Sequence, residues 1–560
     1  MSRLRLLLFC SFALGLIVVA WLWWNWPNRV DMAQYAPADS LVYLESNNLP
    51  AVAQSITGSD AWKEFGSNLG VRTGRPGDRW PYLAASLGIG PTESVVVSRA
   101  QIAVIMLNVD AAEENATLRI KPEGAIIVET HTSGWRMKPV VELALQRFAE
   151  RTYGPVTPQR YREDADYLEW IAAAGDRRIV AAIDGTLVVI GNSKRAVQKC
   201  LEARRGQQPS LRDDAAMRQM RAKLGANQSL TFGYVSSNNA TRLFSWAAPL
   251  LLGRRPGDSS LEQIISRNAA KVLGAVGWSS RAVDGEMEDR FFFSLEPSVV
   301  SRLRPVFRVG PSNGAVWKLV PGDLETITIY KSETPALAWE ALRAVTSQFD
   351  ALSAVVFGSI LKGALLTYGI ENPEKFLHAV GPELATVKIR QSSEGAVLIA
   401  RTLDRQALQQ MFSAQAAQAS HAERMFDVKL KEPLDKSFAA AFVDDYFIIG
   451  LRENVRSCLD DLVSGKTITA QNRFKNIADF ATKSSASIVT YADDTDRVRN
   501  FFSTVNALQG KSPTPNLVSP DVKTIPFAIS ETNLEDQGLE RRTRSPLGQL
   551  STLVGLLRRD

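Results

Sequence analysis

Side chains that could bind a metal ion or carry out acid–base chemistry are sparse in this 560-residue chain. The three histidines, His131, His378 and His421, lie far apart in the sequence. Glu374 precedes His378 by four residues, a spacing that places both side chains on one face of a helix. Because a zinc site needs three or four such ligands, this pair favours an ordinary solvent-facing helix contact over a metal site.

A short acidic run, Asp493, Asp494, Thr495 and Asp496, resembles a cation-binding loop in composition. Calcium loops of the EF-hand type also need a glycine and a terminal glutamate at fixed positions, and this run has neither. We therefore interpret it as a turn or the start of a helix.

Two segments, Gly465–Thr467 and Gly510–Ser512, end like a phosphate-binding loop. That loop also needs an earlier glycine, and its position holds Asp460 in one segment and Val505 in the other. The Gly-Ile-Gly segment at 88–90 lacks the third glycine of a dinucleotide fingerprint. The sequence also lacks the Gly-x-Ser-x-Gly, His-Glu-x-x-His and Cys-x-x-Cys motifs. We therefore assign no catalytic, metal-binding or cofactor-binding residue, and we predict no cofactor.

The overall composition is that of ordinary globular protein. Charged residues make up 22% of the chain and hydrophobic residues 45%, which argues against disorder. The 65 Lys and Arg residues are spread among 59 Asp and Glu residues, which leaves a net charge of +6. We therefore predict no nucleic-acid partner, whereas a mild attraction to an anionic membrane surface is compatible with this charge.

An uncharged apolar run, Leu6–Trp24, follows Arg3 and Arg5 near the N-terminus. As a helix it would extend roughly 28 Å, close to the hydrocarbon thickness of a bilayer. A cleaved signal peptide would have a shorter core and small residues at a cleavage site, whereas this run ends in Trp-Leu-Trp-Trp. We therefore predict an uncleaved signal anchor that binds membrane lipid.

The positive charges set the orientation of this anchor. Arg3 and Arg5 lie on its short side, and positively charged flanks are retained in the cytoplasm. The prediction places residues 1–5 in the cytoplasm and 6–24 in the membrane. A juxtamembrane linker at 25–35 and an extracytoplasmic body follow.

The extracytoplasmic body shows an internal repeat. A strand, a turn and a helix at 184–201 recur at 445–459. A hairpin with glycine near its turn, at 284–285, recurs at 537–538. The prediction places α+β repeat 1 at 36–308, a linker at 309–316 and α+β repeat 2 at 317–546.

The predicted fold class is α+β, with the transmembrane helix followed by two tandem copies of a unit built from an antiparallel sheet and helices. The strands alternate imperfectly, and most are joined by hairpin-like or short helical links. This pattern favours antiparallel sheets covered on one face by helices over a doubly wound parallel sheet.

The chain has three cysteines, of which Cys10 lies in the apolar run. Cys200 and Cys458 occupy the same place in the two predicted copies, beside a leucine in a helix. A buried cysteine behaves as a small hydrophobe, so this symmetry favours core packing. A disulfide between the copies and a reactive thiol are the alternatives.

Three further segments are apolar or amphipathic. We expect 243–252 and 351–370 to be buried core helices, with a groove for lipid or for a hydrophobic partner helix as the alternative. Lys362 argues against a second membrane span in 351–370. Residues 547–560 form a basic amphipathic helix that we expect to dock on the body, with anionic lipid as the alternative.

A family resemblance rests on Pro37–Tyr43, which follows the apolar run, on the Val188–Gly191 strand before a helix, and on the repeated organisation. These features resemble a bacterial family of membrane-anchored proteins known only as a domain of unknown function, over most of residues 36–560. The resemblance implies a location in the cell envelope, with the anchor in the bacterial inner membrane and the body in the periplasm. It supplies no catalytic residue.

These observations favour a non-catalytic envelope protein that binds or scaffolds a protein, lipid or cell-wall partner. A hydrolase or other enzyme acting on an envelope substrate is an alternative, because convergent side chains can be distant in sequence. A lipid-binding or transport accessory protein is a second alternative.

Overall fold

The computed structural model describes most of the chain from residue 29 onward. The described residues are 29–65, 90–114, 117–173, 175, 177–251, 268–310, 314–346, 363–390, 396–416, 425–428, 437–470, 474, 484–508, 527–549 and 551–552. The predicted anchor at 6–24, His421, most of 351–370 and residues 553–560 lie outside them. Among the helices that these residues form, none combines the length and the apolar character that a bilayer crossing requires.

The chain divides into two compact units. Unit 1 comprises Met1–Ala51 and Gly88–Asp214, and unit 2 comprises Val52–Leu87 and Ala215–Asp560. Helix α1 (Leu49–Gly58) spans a sequence boundary between the units, and α2 (Asp60–Phe65) belongs to unit 2. These units group residues that contact one another in space, whereas the predicted repeats group segments that correspond in sequence. The repeat boundaries therefore stay a prediction.

The elements of unit 1 alternate between strands and helices. Its helices are α3 (Pro91–Arg99), α4 (Gly134–Tyr153) and α5 (Lys194–Arg204). Its strands are β1 (Val42–Ser46), β2 (Gln101–Glu114), β3 (Thr117–Glu129), β4 (Gln159–Arg162), β5 (Asp166–Ile171), β6 (Arg178–Asp184) and β7 (Leu187–Gly191).

The strands of unit 1 form an antiparallel sheet in the order β1-β2-β3-β7-β6-β5-β4. A two-residue turn joins β6 to β7, and Gly185 adopts a φ of +66° in it. Glycine is favoured there because it has no Cβ to clash in the left-handed region. The Ser193 hydroxyl then accepts a hydrogen bond from the Ala196 backbone N–H and caps the start of α5.

Helices cover both faces of the unit 1 sheet. Side chains alternate along β7, so Val188 faces one side while Val189 and Gly191 face the other. Val188 packs in a core with Met137 of α4. A Cβ added to Gly191 would lie 2.9 Å from Val197 of α5, on the opposite face. The expectation that helices cover only one face is therefore wrong, because the central strands are apolar on both sides.

Unit 2 is larger than unit 1. Its remaining helices are α6 (Ala215–Leu224), α7 (Ser237–Leu251), α8 (Pro297–Leu303), α9 (Pro335–Thr346), α10 (Pro373–Ala379), α11 (Arg405–Ala416), α12 (Arg452–Ser464) and α13 (Thr495–Leu508). Its strands are β8 (Thr231–Val235), β9 (Leu273–Val283), β10 (Glu286–Leu295), β11 (Leu324–Lys331), β12 (Val380–Ile389), β13 (Val397–Thr402), β14 (Phe426–Val428), β15 (Phe438–Val443), β16 (Tyr446–Leu451), β17 (Ile488–Asp493), β18 (Phe527–Glu535) and β19 (Gly538–Ser545).

The strands of unit 2 are also antiparallel, in the order β8-β9-β10-β19-β18-β17-β11-β12-β13-β16-β15-β14. Helices again pack on both faces. On β16, Ile448 joins a core with Cys458 of α12. The next residue back, Phe447, packs against Phe376 of α10 in a separate core. The antiparallel α+β class predicted from the sequence is thus confirmed.

The predicted hairpins are present. Asp284 and Gly285 form the turn between β9 and β10 with φ values of +50° and +82°. Positive φ at both central residues gives a turn whose twist matches that of the flanking strands. The hairpin of β18 and β19 turns just before Gly538.

Candidate functional site

The described residues contain a buried polar cluster in each unit. The Gln101 cluster of unit 1 consists of Val30, Tyr35, Gln101, Glu129 and His131. The carboxyl pair of unit 2 consists of Asp289 and Asp494. Both clusters contain ionisable groups with altered pKa values, and such groups are common at functional sites.

The Gln101 side chain is the centre of its cluster. It is the first residue of β2, lies opposite Glu129 of β3, and is buried. Its Oε1 accepts a hydrogen bond from the Val30 backbone N–H at 2.8 Å, and its Nε2 donates to the Val30 carbonyl at 2.9 Å. Nε2 also lies 2.5 Å from Asn47 Oδ1. The amide thereby fastens the backbone at residue 30 to the edge of β2.

His131 completes this side of the cluster. Its Nε2 lies 2.9 Å from Gln101 Oε1, and since that oxygen can only accept, Nε2 carries the proton. Burial lowers the pKa of His131 more than the neighbouring Glu129 raises it. Its φ of +50° is unfavourable for a residue with a Cβ, and the bond from its N–H to Glu129 Oε1 at 3.2 Å helps to hold it.

Tyr35 joins the cluster through Glu129. Its hydroxyl donates to Glu129 Oε2 at 3.1 Å. Burial and the carboxylate together raise the pKa of Tyr35 to about 12. The residues between Val30 and Tyr35 are also docked, since Asp31 accepts from the Ala33 N–H at 3.0 Å and caps a short 3₁₀ turn. From Val30 onward, the segment predicted as a linker at 25–35 is therefore packed within unit 1.

The carboxyl pair of unit 2 is closed to solvent. Asp289 of β10 is 0% exposed, and its Oδ1 accepts from Trp278 Nε1 at 3.0 Å. Its Oδ2 accepts from the Gln549 backbone N–H at 2.8 Å. Burial raises the pKa of Asp289, against the opposing effect of these two donors. This carboxyl fastens the segment that follows β19, and Leu547 of that segment is buried in a core with Phe502.

Asp494 lies directly before α13 and is 6% exposed. Its Oδ1 accepts from Arg497 Nε at 2.6 Å, whereas its Oδ2 has no hydrogen-bond partner among the described residues. Burial raises the pKa of Asp494 to about 6, and the charge of Asp289 contributes to this rise. Two such carboxyls could exchange protons with a substrate only if a substrate could reach them, and their burial prevents this.

The acidic run 493–496 is the start of α13, as predicted. Asp493 Oδ1 accepts from the Thr495 N–H at 2.8 Å, and the Val498 N–H donates to the Asp494 carbonyl at 3.0 Å. Asp493 also pairs with Arg390 at 2.5 Å. Within the part of the chain that the structure describes, no group of three or more His, Cys, Asp or Glu could hold a metal ion.

The other sequence candidates occupy ordinary structural positions. Glu374 and His378 are exposed on α10, and Glu374 pairs with Arg343. Gly465 ends α12 with a φ of +68°, so Gly465–Thr467 follows a helix, whereas a phosphate-binding loop follows a strand. The second phosphate-loop candidate, at 510–512, lies outside the described residues.

Both cysteines of the body are buried free thiols, which confirms the packing interpretation over a disulfide. Burial raises the pKa of the Cys458 thiol to about 12 and raises that of Cys200 as well. A thiol with a raised pKa forms little of the reactive thiolate, so neither cysteine is suited to nucleophilic chemistry.

An exposed row of side chains on α4 was not recognised from the sequence. The outer stripe, as we name it, consists of Trp135, Arg136, Pro139, Leu143, Arg147 and Arg151. Trp135 is 74% exposed and Leu143 is 45% exposed. The spacing of four residues is visible in the sequence, but it is shared by every amphipathic helix. Only the structure shows which face of α4 is turned outward.

Comparisons with known proteins give little. No protein-family model and no curated protein matches the chain. A solved structure described as "Structure of crystal form III of TP0453" matches with 11% sequence identity and a TM-score of 0.25. The match covers 50% of this chain and 90% of that chain. A TM-score this low carries no conclusion about fold or function.

Proposed function

We propose that this protein is a single-pass membrane-anchored protein of the bacterial cell envelope, with residues 6–24 in the inner membrane and the body in the periplasm. Its body is non-catalytic and binds a protein, lipid or cell-wall partner. The observation that carries the proposal is the fastening of Val30 by Gln101, six residues after the apolar run ends at Trp24. Six extended residues span at most roughly 20 Å. A docked chain this short holds unit 1 close to the bilayer.

We also propose that the body contains two copies of one α+β unit, at 36–308 and 317–546. The strand order supports this, since β1-β2-β3-β7-β6-β5 in unit 1 has the same connectivity as β11-β12-β13-β16-β15-β14 in unit 2. A helix follows the third strand of each series, α4 or α11. Another follows the last strand in sequence, α5 or α12.

Two glycines support the duplication at the level of single residues. Gly191 pairs with Ala125, and a Cβ on it would lie 3.2 Å from the carbonyl oxygen of the preceding residue, Gly124. Gly450 pairs with Val397, and a Cβ on it would lie 3.0 Å from the carbonyl oxygen of Ala396. A Cβ at either site would therefore crowd a backbone carbonyl oxygen of the paired strand, and at Gly191 it would also crowd Val197 of α5. Cys200 and Cys458, in the helices that follow, are both buried.

The burial and the structural contacts of the two polar clusters support a binding role. Gln101 and Asp289 each join distant chain segments inside a unit, and Asp494 pairs with Arg497 in the first turn of α13. All three side chains are buried, out of reach of a substrate. A partner would therefore bind at the surface of the body and not at these buried polar clusters. A duplicated body offers two related surfaces to such a partner.

The proposal is tested with the full chain carrying Ile17→Arg in the apolar run, compared with Ile17→Val as the matched control. A charge near the centre of a membrane helix costs roughly 2.5–3.5 kcal/mol. We expect the control to resist alkaline extraction from membranes and to be digested by protease added to spheroplasts. The Arg variant should lose membrane retention. A mature N-terminus beyond the tryptophans, or a body protected from protease in spheroplasts, would overturn the proposal.

A further inference from the structure

We propose that the outer stripe of α4 rests on the headgroup region of an anionic bilayer. This inference rests on the proposed function, because it takes the anchor at 6–24 to be in the membrane. It adds a second, surface contact between the body and the lipid, and it identifies unit 1 as the part that makes this contact.

The chemistry of the stripe fits a membrane interface. Trp135, Pro139, Leu143, Arg147 and Arg151 follow one another at intervals of four residues, so they form an inclined row that winds across the exposed side of the helix. Indole rings settle at the level of lipid headgroups, and helices that lie on membranes combine apolar side chains with Lys or Arg. The opposite side of α4 is already occupied, since its buried residues pack in the core of unit 1.

The position of the stripe relative to the anchor follows from one side chain. Gln101 Oε1 accepts hydrogen bonds from both Val30 N and His131 Nε2, so these two residues are neighbours. Trp135 follows His131 by four residues, which span at most roughly 14 Å. Val30 in turn lies within roughly 20 Å of the end of the apolar run. The two reaches, with the Gln101 amide between them, limit the distance from the start of α4 to the point where the chain leaves the bilayer to roughly 40 Å.

A second apolar area faces the same side as α4. Val104 and Ile126 lie directly opposite each other on β2 and β3 and are 41% and 42% exposed. Ile126 also pairs with Ile190 of β7, which packs against the core that α4 covers. Residues directly opposite in a sheet share a face, so Val104 and Ile126 point to the side that carries α4. This side of unit 1 is thus apolar beyond the helix itself.

The charge of the outer stripe favours an anionic lipid surface over an uncharged apolar partner. The Arg136 guanidinium lies over the Trp135 ring, 4.7 Å from its centroid, so the cation and the indole are presented together. Arg147 is paired with Glu93 at 3.4 Å, so the positive charge that the stripe offers to a membrane comes from Arg136 and Arg151. The neighbouring acid Glu150 accepts from Gln146 Nε2 at 2.7 Å. A cationic side chain near an anionic membrane surface contributes favourably and is screened by salt.

The test places a nitroxide label on the full chain in vesicles of phosphatidylglycerol and phosphatidylethanolamine. Leu143→Cys carries the label on the stripe, and Glu202→Cys carries it on α5, which packs on the opposite face of the sheet. Cys10→Ala removes the thiol of the apolar run, and the two buried thiols do not react in the folded protein. The measurement compares collisions of the label with oxygen, which partitions into lipid, and with a water-soluble nickel complex.

We expect the oxygen-to-nickel ratio to be several-fold higher for the label at 143 than for the label at 202. Adding Arg136→Glu and Arg151→Glu should bring the two ratios together in these vesicles. Flotation of the vesicles measures separately whether the anchor is inserted in the membrane. If the chain floats with the vesicles but the oxygen-to-nickel ratios at 143 and 202 are equal, this inference is wrong and the anchor stands. If the chain does not float, the proposed function is wrong. Protection at 143 in native membranes but not in vesicles would assign the stripe to a protein partner and also overturn the inference.

Discussion

The side-chain amide of Gln101 bonds to both polar groups of one backbone residue, Val30, accepting from its N–H at 2.8 Å and donating to its carbonyl at 2.9 Å. The two residues are 71 positions apart in the sequence. An amide can do this because it carries a donor and an acceptor side by side, as a backbone does in a strand pair. The contact fixes the start of the body, at Val30, to the first residue of β2.

Replacement of Gln101 by Ala should release the segment around Val30. The change removes two hydrogen bonds to the backbone and leaves buried polar groups without partners, which costs about 2 to 3 kcal/mol in the free energy of unfolding of unit 1. Amide hydrogen exchange at Val30 and Ala33 measures the release, and it should become faster. Gln207→Ala, at an exposed position after α5, is the matched control and should leave both amides unchanged. Unaltered exchange in the Gln101 variant would show that other contacts hold the segment.

Replacement of Asp494 by Asn should stabilise unit 2 at neutral pH. The pKa of Asp494 is raised from 3.8 to about 6 by burial, so the folded protein holds this proton more tightly than the unfolded chain does. Such a carboxyl lowers stability as the pH rises from about 4 to about 6. The Asn variant should therefore exceed wild type by about 3 kcal/mol at pH 7.5 and by about 1 kcal/mol at pH 4.5.

Urea denaturation at the two pH values measures this difference for Asp494→Asn. Asp496→Asn is the control, because Asp496 belongs to the same acidic run but is exposed and paired with Arg499 at the surface. It should show no such pH dependence. A gain of equal size at both pH values would contradict the assignment of the effect to the Asp494 proton.

Replacement of Gly191 or Gly450 by Ala should destabilise the protein by similar amounts. At Gly191 the added Cβ would lie 3.2 Å from the Gly124 carbonyl oxygen and 2.9 Å from Val197 Cγ2, and at Gly450 it would lie 3.0 Å from the Ala396 carbonyl oxygen. Backbone atoms move only at a cost. Overpacking of this kind costs about 1 to 3 kcal/mol. Gly363→Ala is the control, because a Cβ there meets nothing within 4 Å. Thermal unfolding checks all three, and a neutral result at either Gly191 or Gly450 would remove one support of the duplication.

Cys200 and Cys458 should both resist thiol reagents in the folded protein. Each thiol is buried and has a raised pKa, so both access and thiolate formation are opposed. In a Cys10→Ala background we expect negligible reaction with a maleimide under native conditions and full reaction of two thiols in denaturant. Mass spectrometry counts the labels. Rapid native labelling of one cysteine alone would contradict the equivalent packing of the two.

Several features of the fold were predictable because they depend on neighbours in the sequence. Asp284 and Gly285 give a hairpin through backbone preferences that act within four residues. The acidic run before Thr495 starts a helix for an equally local reason, since its side chains and carbonyls bond to N–H groups of the first turn. The antiparallel α+β class follows from such links between successive strands.

The sequence by itself therefore determined the hairpins, the helix starts, the apolar run at 6–24 and the core positions of Cys200 and Cys458. Only the tertiary structure decided that helices cover both sheet faces, that α4 turns Trp135 outward, and that Asp289 holds the backbone of Gln549, 260 residues away. The reason is physical. Turns and caps are set by energies between near neighbours, whereas distant pairs form only when the packing of whole elements brings them together, and many distant partners are equally compatible with one local pattern.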